Sequence, residues 1–335
     1  MITKRAVLKT VASVYDPLGI WSPAVVQLKS LFQEVCALNC EWDKPLNDEF
    51  LASWKKILST LIKIDPILVP RYYMTPYNIK DVSRIEIHGF CDASKKACAA
   101  AVYFRAVFTD KNVQVHLICS KTKIVPLKDA KIANMLTIPK LELLGCVILS
   151  ELVKSVKDSL RKLCDIDEVF YWTDSMDCLN WIVNSSKIWP KFIQNRVLKI
   201  RNNSASNNWF HCPGKENPAD IPSRGSDLRN PDFRKCWLQG PSFLWGSRDT
   251  WPSTPFSALA KSSVIGLAMA EEMLYDESES SEKDVTLLPA LSSKESPNLH
   301  EIMDINRYGN LDKLLRITSY VLRFMTSLKS KIKQP

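Results

Sequence analysis

The sequence predicts an α/β fold: a mixed five-stranded sheet with flanking helices, preceded by a small helical region and followed by a partly disordered linker. Three observations predict it. Residues 84–226 alternate strand and helix signals, in the order three strands, helix, strand, helices, strand, which argues for a mixed sheet covered by helices. Residues 1–75 carry helical periodicity. After residue 226 the composition turns Pro- and Ser-rich, then acidic.

Each element has a local reason. Val25, Leu28, Leu31, Phe32 and Val35 recur at helical spacing behind Pro23, which can open a helix. Asp16-Pro17-Leu18-Gly19 reads as a turn. A second helix starts at Asn47 or Asp48, with Phe50, Leu51, Trp54, Ile57, Leu58 and Leu61 on one side, and Pro66 and Pro70 end the helical part. Arg84–Asp92 alternates, with Ile85, Ile87, Gly89 and Cys91 on one face, as a half-buried strand does. Residues 97–104 and 114–120 read as two further strands. Pro139 opens a long helix with the stripe Leu141, Leu144, Ile148, Leu152, Val156 and Leu160. Residues 169–173 form a short β-rich run ending at Asp174. Helices over 175–183 and 191–201, a strand over 208–212 and a short helix over 218–224 follow. Six prolines punctuate residues 227–300 and Asp276–Lys283 is an acidic serine-rich run, so this stretch reads as a linker, disordered toward its acidic end. Trp237, Trp245 and Trp251 suggest that its first part packs on something. Residues 306–333 read as a basic helix.

At 335 residues the chain has room for about two domains plus connectors. Hydrophobic residues at 46% and charged residues at 24% exclude a wholly disordered or collagen-like chain. No run of about 18 uninterrupted apolar residues exists, so no membrane span is expected. Lys9, Ser13 and Asp16 interrupt any signal-type apolar core. Ten scattered Cys fit a reduced protein inside the cell, cytoplasmic or nuclear and not secreted. Cys36 and Cys40 come nearest to a metal motif and have no partner pair nearby. The net charge of +9 favours anionic partners such as nucleic acid, and is equally met by a need for solubility.

Four carboxylates stand out by placement. Asp92 ends a strand, Glu142 lies in the first turn of the long helix, Asp174 ends the short apolar strand and Asp220 starts the last short helix. Taken singly, Asp92 and Asp220 suit caps or turns, Glu142 suits the positive end of its helix, and Asp174 precedes an N-cap at Ser175. Taken together, two strand-end aspartates on neighbouring strands would mark a ligand site. Clustered carboxylates repel and stay ionised only with cations between them. An oxygen-only set selects Mg²⁺ or Mn²⁺.

The order of these four motifs resembles the ribonuclease H-like domain of retroelement Pol polyproteins. The flanking segments narrow the resemblance to the BEL/Pao retrotransposons. They are Lys4-Arg5-Ala6-Val7-Leu8-Lys9, Tyr15-Asp16-Pro17-Leu18-Gly19, Glu41-Trp42-Asp43, Pro70-Arg71-Tyr72-Tyr73, Phe90-Cys91-Asp92-Ala93-Ser94, and Asn217-Pro218-Ala219-Asp220 with Ser223-Arg224-Gly225. Arg307-Tyr308, Lys313-Leu314-Leu315-Arg316 and Arg323-Phe324 are similar to the stretch leading into that family's integrase region. The resemblance implies four parts. Residues 1–78 are a helical segment after the reverse-transcriptase palm, 79–226 the ribonuclease H-like domain, 227–300 the linker, and 301–335 a basic helix leading toward the integrase region.

It further implies hydrolysis of the RNA strand of RNA–DNA hybrids, with two Mg²⁺ (or Mn²⁺) ions about 4 Å apart. The residue matching Asp92 bridges both ions, those matching Glu142 and Asp174 bind one, and that matching Asp220 binds the other. Lys187, Lys191, Arg196, Lys199 and Arg201 give one region a basic side for phosphates, and Lys215 and Arg224 complete the candidate nucleic-acid contacts. Trp181 and Trp189 read as core. Two positions depart from the family's pattern: Lys215 stands about where active retroviral relatives carry a flexible His, and Cys98-Ala99-Ala100 replaces small, often Gly-containing sequence. The chain has no Asp-Asp dipeptide, no Asp-Thr/Ser-Gly and only four His, so polymerase, protease and integrase sites are not expected. The expected partners are an RNA–DNA hybrid or other nucleic acid and the rest of a Pol polyprotein, with no membrane. Two alternatives are a catalytically inactive nucleic-acid-binding remnant and a structural adaptor for protein contacts. The presence of all four carboxylates favours the nuclease.

Overall fold

In the computed structural model, which describes residues 2–38, 40–126, 136–184 and 189–253, the alternating run after residue 82 becomes three long strands. β1 (Val82–Ala93), β2 (Ala97–Phe108) and β3 (Val113–Ile124) form an antiparallel meander. β2 and β3 run past their expected ends, because β2 pairs along a long β1 and β3 pairs along the lengthened β2, which outweighs the modest strand propensity of alanine and lysine. β4 (Glu168–Thr173) and β5 (Trp209–His211) add in parallel beyond β1, giving the order β3-β2-β1-β4-β5.

The helices start where capping chemistry places them. α1 (Lys4–Ser13) is capped by Thr3, α3 (Asp48–Ile62) by Asn47 and α5 (Met176–Val183) by Ser175, each side chain accepting from a backbone N–H of the first turn. α2 (Ser22–Ala37) and α4 (Ile138–Leu160) carry proline in their first turn. α6 (Lys191–Asn203), the five-residue α7 (Asp220–Arg224) and α8 (Pro231–Gln239) complete the set.

α4 lies across β1 and β2 and is backed by α6. It therefore buries Leu143, Cys146, Leu149 and Val153 beyond the expected stripe. The opposite face of the sheet is covered too. Phe90, Tyr103, Phe170 and Trp172 pack with Trp237, Phe243 and Leu244. β1 is thus buried on both faces from Ile85 onward, where the alternation predicted one open face. The first part of the expected linker supplies that cover, since residues 231–250 fold as α8 and two short 3₁₀ turns.

A buried charge network fastens the cover. Arg105 donates to Glu86 at 2.5 Å, to the Leu244 carbonyl at 2.6 Å and to the Gly246 carbonyl at 2.8 Å. Trp172 donates to His88 Nδ1 at 3.2 Å, so His88 presents its Nε2 proton to Glu86, also at 3.2 Å. Burial pushes the Glu86 carboxyl up, but His88 and Arg105 outweigh it and hold the group down at about 2.

At the other end of the chain, α1–α3 share a small core of Val7, Leu28, Leu31, Val35 and Trp54. The Asp16–Gly19 turn docks on the sheet edge. Ser120 N–H donates to the Leu18 carbonyl at 2.8 Å, and its hydroxyl donates to the Gly19 carbonyl at 2.5 Å. Residues 2–253 belong to one packed unit, with contacts crossing the expected boundaries at 78/79 and 226/227. The disordered part of the linker and the basic helix over 301–335 lie outside the described residues. Among the described residues, no helix is long and apolar enough to cross a membrane.

Removing one partner of a buried ion pair strands the other. Arg105→Ala is expected to cost about 3–5 kcal/mol in urea unfolding and to expose residues 242–251 to proteolysis. Replacing Glu86 and Arg105 together by apolar residues should cost less than Arg105→Ala alone. Equal costs would contradict this account of the cover.

Candidate active site

The parallel register of β1 and β4 sets Cys91 opposite Thr173. The next residues, Asp92 and Asp174, therefore leave adjacent strands at the same edge of the sheet, strands that lie about 4.8 Å apart. Asp92 is 6% exposed. Glu142 reaches this edge from α4, where it sits in the second turn rather than the first, because the helix opens at Ile138. Gly145, one turn on, lets α4 approach: a Cβ there would stand 3.2 Å from the Asp92 carbonyl oxygen. Asp220 enters from the start of α7.

The electrostatics bind the four into one neighbourhood. Burial lifts Glu142 to about 7; a Ser175 hydrogen bond opposes, and the charges of Asp174 and Asp92 add to the lift. Burial lifts Asp174 to about 7 as well, reinforced by Asp92 and Asp220. Asp92 is raised by burial and by Asp220, against a hydrogen bond from Ser223. Asp92, Glu142 and Asp174 are thus each raised first by burial and then by a neighbouring carboxylate's charge.

Neighbouring side chains hold the arrangement. The buried Ser223 hydroxyl donates to Asp92 Oδ2. Ser94 donates to the Ser223 carbonyl at 2.7 Å. Asn217 Nδ2 donates to the Cys91 carbonyl at 2.9 Å, and the Asn217 side chain lowers the Asp174 carboxyl against its burial. Arg224 pairs with Asp220. Among the described residues, no three His, Cys, Asp or Glu side chains stand together as a ready metal-binding group. Asp92 is turned to Ser223 and Asp220 to Arg224. The residues nevertheless fit a hard divalent cation. The donors are all oxygen, Asp174 Oδ1 is buried without a hydrogen-bond partner, and two carboxyls are held near neutrality by burial and mutual repulsion.

The basic candidates divide. Lys187 lies outside the described residues. Lys191 and Lys215 are exposed, and Lys199 pairs with Glu151 at 2.6 Å. Arg196 folds its guanidinium over Phe192 on its own helix. Arg201 donates to the carbonyls of Trp181, Ile182 and Asn184, so its guanidinium closes the end of α5 instead of facing outward. Arg224 is 68% exposed beside Asp220. Trp181 and Trp189 are core. The sequence reading assigned no role to Ser223, Asn217 or Gly145, and gave Ser175 only its N-cap role, which the structure shows. The first two stood inside quoted motifs, and a lone glycine within a long helical stripe is the usual mark of close approach.

Glu142 and Asp174 titrate higher folded than unfolded, so their ionisation opposes folding. Metal-free protein is expected to lose stability as pH rises from about 4 through about 7, and Mg²⁺ should restore it. Urea midpoints at pH 5 and pH 8 test this. Asp92→Asn should shrink the difference, and a midpoint that rises with pH in this window would contradict it.

The family described as the Pao retrotransposon-like RNaseH-like domain matches residues 3–175, just over half of the chain, and so takes in Asp92, Glu142 and Asp174 but not Asp220. Among solved structures, LC11-RNase H1 from a compost metagenome is similar at 15% identity, over 44% of this chain and 96% of its own, with a TM-score of 0.29. RNase H1 of the archaeon Halobacterium salinarum is similar at 11% identity, over 45% of this chain and 99% of its own, with a TM-score of 0.27. A foamy viral protease–reverse transcriptase, solved with double-stranded DNA, is similar at 12% identity, over 62% of this chain and 34% of its own, with a TM-score of 0.28. No curated protein matches. With a five-stranded sheet in the order β3-β2-β1-β4-β5 and the family match over residues 3–175, the chain belongs to the Pao retrotransposon-like RNaseH-like family.

Proposed function

We propose that this chain is the nuclease module of a Pao-type Pol polyprotein and hydrolyses the RNA strand of RNA–DNA hybrids. The observation that supports the reading best is the parallel register of β1 and β4, which sets Asp92 and Asp174 side by side at the ends of adjacent strands, with Glu142 and Asp220 near enough for their charges to be felt. These four would hold two divalent ions, Mg²⁺ or Mn²⁺. Once bound, such ions lower the pKa of an attacking water and neutralise charge on the leaving oxygen.

The chain's own residues do the rest. Asp92, whose charge acts on both Glu142 and Asp174, would be the ligand shared by the ions, and Ser223 holds its carboxylate in place. Asn217 ties the loop before α7 to the end of β1 and steadies Asp174. Lys191, Lys199, Lys215 and Arg224 offer cations to phosphates. Choosing RNA would require contacts to 2′-hydroxyls across a minor groove. The partners are nucleic acid and the remainder of a Pol polyprotein, inside the cell.

A second reading, a catalytically inactive nucleic-acid-binding remnant, draws on one observation: Ser223 and Arg224 already occupy Asp92 and Asp220. One experiment separates the two. The full chain is incubated with a labelled hybrid in Mg²⁺, beside Asp92→Asn. The nuclease cuts the RNA strand, and Asp92→Asn binds hybrid but leaves it whole. A wild-type chain that binds hybrid, weakens steeply with salt and never cuts it belongs to the second reading.

A further inference from the structure

α7 has five residues, too few to hold a helical turn in place unaided, yet it carries both Asp220 and Ser223. Its support comes from the N-terminal region. Gln27, on α2, donates its Nε2 hydrogen to the Gly225 carbonyl at 3.1 Å. Gly225 ends α7 at φ +79°, a left-handed conformation that disfavours any side chain. A Cβ there would stand 2.9 Å from Gln27 Cγ and 3.0 Å from Val26 Cγ1, so glycine is what lets α2 close on the end of α7. From the opposite side, Ser94 holds the Ser223 carbonyl and Ser223 holds Asp92. α2 is itself fixed to the sheet: Gln33 donates to the Val125 carbonyl at 2.7 Å, and Ser22 shares a hydrogen bond with Ser120 at 2.8 Å.

We infer that α2 is part of the candidate site and that Gln27 is a positioning residue, setting through Gly225 where Asp220 and Ser223 stand. The contact makes the N-terminal helical region a lever on the last carboxylate, so anything that shifts α2 shifts Asp220. The inference deepens the nuclease reading and rests on it only for the claim that Asp220 holds an ion.

The test uses the full chain with Gln27→Met, which keeps length and packing but removes the donor, and Gly225→Ala, which adds strain. Amide hydrogen exchange reads the brace directly. Exchange at Ser223 and Gly225 should quicken about three- to tenfold in Gln27→Met, the range expected for one lost hydrogen bond, with β1–β4 unchanged. In Gly225→Ala the Ser223 amide should exchange faster still. Mn²⁺ affinity, followed by the paramagnetic signal of free Mn²⁺, reads the positioning role. It should fall in Gln27→Met, and Gln27→Met added to Asp220→Asn should bind no more weakly than Asp220→Asn alone. Unchanged exchange at Ser223 and Gly225 overturns the brace. Faster exchange with unaltered Mn²⁺ affinity, or an equal further loss in the Asp220→Asn background, overturns the positioning role. A wild-type chain that takes up no Mn²⁺ overturns the nuclease reading instead, and the exchange measurement alone then decides the brace.

Discussion

Two aspartates, Asp92 and Asp174, brought side by side by parallel strands, with Glu142 and Asp220 within reach of their charge, are the constraint on which the rest depends. Left alone, such charges would drive their elements apart. The fold counters the repulsion at each position. Ser223 donates to Asp92, Arg224 pairs with Asp220, and Ser175 and Asn217 lower the raised carboxyls of Glu142 and Asp174. Burial keeps Glu142 and Asp174 near neutrality. One oxygen, Asp174 Oδ1, still lacks a partner. A polar site assembled this way is poised for a ligand that brings positive charge.

Holding the edge rigid requires the sheet to be fixed on both sides. α4 and α6 cover one face, and residues 231–251 cover the other. The Glu86–Arg105 pair inside β1 and β2 joins the second cover to the same strand that carries Asp92 near its end. Buried ion pairs are costly to desolvate, and their gain here is definition: Arg105 reaches two carbonyls of the cover as well as Glu86, so the cover has one seat.

The strand-end aspartates were legible because periodicity stops at them. The alternation of β1 ends at Asp92, and the apolar run of β4 ends just before Asp174. Their adjacency was legible only as a possibility that the resemblance strengthened, because nothing local to residues 168–173 dictates pairing with β1. Arg84, Glu86 and His88 alternate with apolar residues and so read as a solvent face. Glu86 and His88 are instead buried, with His88 and Arg105 on the Glu86 carboxylate, while Arg84 stays partly exposed beside it. Residues 231–251 are broken by proline and carry no long period, and three tryptophans were the one hint that they pack. Arg201 read as a phosphate contact, whereas carbonyls at the end of α5 take up its donors. Ser223 and Asn217 act through single hydrogen bonds, which leave no pattern along the chain.

The central claim is that these oxygens hold divalent ions together, and its most direct measurement is anomalous scattering from crystals of the full chain grown in saturating Mn²⁺. The account predicts anomalous density bounded by Asp92 and Asp174, with Glu142 and Asp220 closing on it and the Ser223 contact to Asp92 opened. An edge that stays empty under saturating Mn²⁺, with Asp92 still on Ser223 and Asp220 still on Arg224, would contradict it.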